Sequence, residues 1–102
     1  MVGDPTHPDV LPLYQAELDV DTLDALFRDL AGVPHVKVVV RDAVHTYVRE
    51  ATSQLDLVGA RARLDAGKAV QLRYVYEGAE WWDTLTPHDG IVRLVRVRHD
   101  RD

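Results

Sequence analysis

Cysteine is absent from these 102 residues, which excludes disulfides, thiolate nucleophiles and Cys-ligated metals. Serine is almost absent. Ser53 is the only one, and it stands where a helix cap is expected, so a Ser-His-Asp hydrolase is not. No window approaches the ~20 consecutive apolar residues of a membrane span. The N-terminus also lacks the basic-then-apolar layout of a signal peptide, so a soluble, cytoplasmic protein without a membrane partner is expected. The glycines form neither a Walker loop nor a dinucleotide fingerprint, and His7, His35, His45, His88 and His99 show no ligand spacing. Neither a cofactor nor a metal is therefore expected. A basic excess is missing as well: the net charge of −5 argues against a general nucleic-acid binder.

What the chain does have is enough apolar content, 46%, to give one domain of this length a core. Its charge is split along its length. Seven acids stand against Arg28 alone in residues 1–30, whereas Arg93, Arg96, Arg98 and Arg101 outnumber Asp100 and Asp102 near the end. An acidic first part lying near a basic last strand, within one molecule or across a dimer, accounts for that split.

Residues 1–12 hold three of the five prolines and read as a flexible N-terminal arm, leaving 13–102 as a single domain. Tyr14, Ala16 and Leu18 alternate with Gln15 and Glu17, the period of a half-buried strand. Asp21 then offers a cap, and Leu23, Leu26, Phe27 and Leu30 fall on one face of a helix over about 22–31, stopped by Gly32 and Pro34. The valine-rich stretch from His35 to Arg41 predicts a strand, and with its predecessors a βαβ unit. Residues 42–52 fit either period, with Asp42 as a cap favouring helix. Ser53 and Asp56 resemble a capping box that opens a further helix, which Gly67 closes.

Residues 69–98 predict a three-stranded antiparallel meander. The fold class is thus α+β, a mainly antiparallel sheet packed by two or three helices. A two-residue turn, Glu77-Gly78 or Gly78-Ala79, joins the first two strands in either register. Both registers put Leu72, Tyr74, Tyr76, Trp81, Asp83 and Leu85 on one face, and Gln71, Arg73, Val75, Trp82 and Thr84 on the other. For the second turn, a five-residue loop from Thr86 to Gly90 sets Asp83 opposite Arg93 and Glu80 opposite Arg96, two favourable charge pairs. A four-residue loop would turn the last strand over.

Two candidate sites follow. The first is a binding surface of Gln71, Arg73, Trp82, Thr84 and Arg96, unless a helix buries Trp82. An exposed tryptophan beside an arginine is a common anchor of protein interfaces. The second is a pocket or buried ion pair formed by Asp83 and Arg93 with Tyr74, Tyr76 and His88. There a desolvated carboxylate would serve as acid or base, or simply hold its arginine. The sequence points away from an enzyme. It favours a small non-catalytic protein acting by protein–protein contact, as a homodimer or accessory subunit. The alternatives are a small-ligand domain or enzyme at Asp83, or an anion or RNA binder on the Arg73, Trp82 and Arg96 face.

Overall fold

The computed structural model describes residues 13–44, 47–52 and 56–100. Its elements are β1 (Leu13–Leu18), α1 (Val20–Leu30), β2 (Lys37–Val44), β3 (Tyr47–Thr52), α2 (Leu57–Asp65), β4 (Val70–Tyr76), β5 (Ala79–His88) and β6 (Ile91–Asp100). The expected arm over 1–12 and the expected cap Ser53 lie outside the described residues.

Helix α1 forms where the apolar spacing places it, but it starts two residues earlier than expected. Its cap is Asp19, whose Oδ1 accepts the Thr22 amide at 2.8 Å. Those hydrogen bonds from Thr22 hold the Asp19 carboxyl below the ordinary aspartate value. A depressed carboxyl stabilises the fold above the unfolded-state pKa, and that stabilisation disappears as the pH falls through the folded-state value. The stability difference between the native chain and Asp19→Ala, followed by urea unfolding, should therefore narrow below the ordinary aspartate range. A difference that does not change with pH would contradict this. Helix α2 is capped by Asp56, which accepts the Gly59 amide at 2.9 Å. It closes at Gly67, whose φ of 83° suits glycine.

The helix expected over 42–52 is instead strand. β2 runs on to Val44 and pairs with β3 from Val39–Thr52 to Val44–Tyr47. Neither single period describes the stretch: the chain reverses between Val44 and Tyr47, and antiparallel pairing of the two strands satisfies their backbones.

Among the described residues, six strands form one antiparallel sheet in the order β1-β6-β5-β4-β2-β3. β1 and β2 run in the same direction but are not neighbours, which corrects the expected βαβ unit. The β4–β5–β6 block, held together by two tight turns, lies between them. Both turns are two residues long and nearly identical: Glu77-Gly78 and Asp89-Gly90 each have φ of 51° and 82°. Two successive positive φ values are the mark of the hairpin turn whose twist matches its strands.

Both helices pack on one face of the sheet. Leu23 and Leu30 of α1 and Ala60 and Leu64 of α2 meet Val38, Val70, Leu72, Tyr74, Leu85 and Leu94 in one buried cluster. No described helix is long and apolar enough to cross a membrane.

Candidate functional site

Strand β5 carries both candidate sites because its side chains alternate between the two faces. Trp81, Asp83 and Leu85 turn toward the helices, and Trp82 and Thr84 turn the other way, as the sequence predicts. The expected pairing with β6 is wrong, however. His88 faces Ile91, so the loop is only Asp89-Gly90, and Asp83 faces Arg96 rather than Arg93. Pro87 looks like a turn residue but belongs to the strand. It lies beyond the last β4 pairing, Val70–Leu85, so no neighbour there needs its missing N–H.

On the helix side, Asp83 has no exposed surface. Its Oδ1 accepts Arg96 Nε at 2.8 Å, and its Oδ2 accepts Arg96 Nη2 at 2.9 Å and Tyr74 Oη at 2.8 Å. A two-pronged guanidinium contact of this kind is among the stronger hydrogen-bonded pairs. The bond to Asp83 raises the Arg96 pKa. Burial, and then the Asp83 charge, raises that of Tyr74, so the phenol stays protonated and donates. Both Asp83 oxygens are engaged and shielded from solvent, and the carboxylate serves to hold Arg96 and Tyr74 in place. A cleft of about 420 Å³ opens above this triad, between α1 and the β4–β5 hairpin. Tyr76 stands in its lining, while His88 lies at the far end of β5, exposed and 3.1 Å from Asp89.

Neither described helix covers the opposite face. There Trp82, partly exposed, is flanked by side chains of the sheet. The Arg73 guanidinium stands 3.8 Å from the indole centroid, and the His99 ring 4.2 Å away. β4 and β6 flank β5, so these two groups approach from opposite sides. The indole Nε1 donates to Glu80 at 2.8 Å. Arg73 Nε in turn donates to Gln71 Oε1 at 2.7 Å, and Gln71 Nε2 to Thr84 Oγ1 at 2.8 Å. A cation over an indole contributes about 0.5–2 kcal/mol, more as water is excluded, so the ladder from Thr84 to His99 is set before any partner arrives.

The structure therefore brings Gln71, Arg73, Trp82 and Thr84 together as expected, but Gln71 is buried and supports its neighbours instead of meeting a partner, and Arg96 moves to the helix side. Arg93 exchanges places with it: it lies on the open face opposite Thr86, exposed, 3.8 Å from Glu17. Glu80 and His99, which complete the Trp82 surroundings, were missed. Reading Asp89-Gly90 as a two-residue turn would have found them, since it sets Glu80 opposite His99. The chain matches no family model, and neither a curated protein nor a solved structure matches it at a significant level.

Proposed function

We propose that this chain is a non-catalytic protein that acts by protein–protein contact, pairing with a second copy through the part of the sheet face around Trp82, beyond the end where Val39 and Gln71 are buried. The observation that carries the reading is Trp82 fixed between Arg73 and His99 on the face opposite both described helices. Tryptophan and arginine dominate binding energy at interfaces, and side chains ordered in advance lose less entropy on association. Val75, 46% exposed, and the partly exposed Val95 and Val97 add apolar surface beside them.

Charge favours a second copy over a polyanion. Lys37, Arg73 and Arg93 share this face with Glu17 and Glu80, a near balance that does not repel itself. The occupied flanks of the indole also count against base stacking, which needs a free ring face. The four strands β1, β6, β5 and β4, about 4.8 Å apart and ~20–30 Å long, offer roughly 500 Å² of projected face, somewhat less than the ~800 Å² per partner of a standard interface.

The test is mass in solution across a concentration series, for the native chain and for Trp82→Ala. A dimer is expected, weakened about 30-fold by the substitution, which corresponds to an interface anchor worth about 2 kcal/mol. A chain that is monomeric throughout, or a dimer indifferent to Trp82, would overturn the proposal.

A further inference from the structure

The cleft on the helix side has a composition of its own, separate from the sheet face. Three aromatic residues, Tyr74, Tyr76 and Trp81, line it along the β4–β5 hairpin. Tyr74 and Trp81 are direct cross-strand partners. Trp81 Nε1 donates to the Tyr76 carbonyl at 3.2 Å, which ties the indole to the end of β4. Helix α1 supplies Leu26 and Leu30 on the other wall.

Two carboxylates also reach this lining, Asp29 from α1 and Glu77 from the turn. Among the described residues, neither is within ion-pair distance of a cation. Arg96 lines the cleft too, but Asp83 matches its charge through two hydrogen bonds. The lining thus carries two carboxylates with no ion-pair partner among the described residues, beside aromatic and aliphatic walls; Arg98, the cross-strand partner of Trp81, stands on the same side of the sheet but outside the lining. A volume of about 420 Å³ lies within the range of small-ligand sites.

We propose that this cleft binds an organic cation, an alkylammonium group on a short apolar stem. Aromatic faces attract cations through their ring quadrupoles, and methylated ammonium groups are the most readily stripped of water. Asp29 and Glu77 supply the long-range attraction, and Leu26 and Leu30 meet the stem. An anion would face two like charges here. A neutral apolar ligand would leave those charges beside it without a counterion. The same headgroup chemistry belongs to a free amine such as choline and to a trimethylated lysine side chain of a protein.

The probes are choline, a tripeptide with a central trimethyl-lysine, and 3,3-dimethylbutanol, the uncharged isostere of choline. Each is titrated into the full chain, with the Trp81 indole N–H resonance followed by NMR and assigned with Trp82→Phe. Saturable shifts with at least one cation, and at least tenfold weaker binding of the alcohol, are expected. The double substitution Asp29→Asn and Glu77→Gln, at exposed positions, should weaken the cation about tenfold while the circular dichroism spectrum stays unchanged. Tighter binding of the tripeptide would assign the ligand to a protein tail, and equal or tighter binding of choline to a free amine. Equal binding of the alcohol, a double variant that binds as well as the native chain, or no binding of either cation would overturn the proposal. None of these results depends on whether the sheet face dimerises.

Discussion

Asp83→Asn should lower the stability of the fold by about 3 kcal/mol, toward the lower end of the 3–5 kcal/mol typical when one partner of a buried ion pair is removed. The substitution keeps the volume but changes what the site offers its neighbours. One amide oxygen remains to accept, while an NH₂ group now opposes donors where Oδ1 or Oδ2 accepted Arg96 and Tyr74. The guanidinium loses its counter-charge at the bottom of the cleft. Arg96 retains 28% side-chain exposure, so water recovers part of the loss, and this places the figure at the lower end. Against a total stability of roughly 5–15 kcal/mol, the shift in the urea midpoint should be large, with little change in slope. Removing Arg96 as well, as Arg96→Gln, should then add less than it costs alone, because the two groups share one interaction. A single-substitution loss below about 1 kcal/mol would mean that the pair is not the anchor its geometry indicates.

Leu85→Ala should cost about 3–4 kcal/mol, within the 2–5 kcal/mol range for leucine truncation in a core. Leu85 is wholly buried, paired directly with Val70 on one side and Leu94 on the other. Its surroundings have little freedom to collapse into the space left behind. Backbone ladders fix the spacing of β4, β5 and β6, and Ala60 and Leu64 of α2 belong to the same packed cluster. Cavity cost therefore adds to the lost transfer energy. Thermal unfolding monitored by circular dichroism reads the effect. Val58→Ala, at a side chain 78% exposed on α2, is the control, expected within about 0.5 kcal/mol of the native chain. A Leu85 variant as stable as that control would show that the β4–β6 core is packed differently.

Local periodicity carried most of what could be read from the sequence. Leu23, Leu26, Phe27 and Leu30 placed α1, and strict alternation divided β4 and β5 into two faces before any partner strand was known. Pairing between β5 and β6 was harder, because register depends on contacts distant in sequence and on the exact loop. Counting two apparent charge pairs favoured a long loop. One two-pronged contact between Asp83 and Arg96, together with the Asp89-Gly90 turn, outweighs them. That single error exchanged Arg93 and Arg96 between the two candidate sites. Residues 42–52 fitted both periods when taken as one element, whereas the chain reverses within them and the two strands pair. Cap positions slipped because Asp19, Asp21, Ser53 and Asp56 are all competent caps, and the choice among them depends on where the chain leaves the preceding element. The cleft was half legible: Tyr74 and Tyr76 were named, but Asp29 reaches it only through the packing of α1.

The place of β1 has a consequence for the order in which the molecule assembles. Its pairing with β6 joins Leu18 to Val92 and Leu13 to Val97, partners from opposite ends of the described chain, whereas β4, β5 and β6 need only two-residue connections. Closing the larger loop costs more chain entropy before any contact repays it, and distant pairings of this kind slow folding. Until β1 docks, the far edge of β6 presents open backbone donors and acceptors to any extended strand that meets it. β1 thus moves the edge of the sheet from the ten-residue β6 to a six-residue strand, and the interval before it docks is when the longer edge is exposed to pairing with the wrong chain.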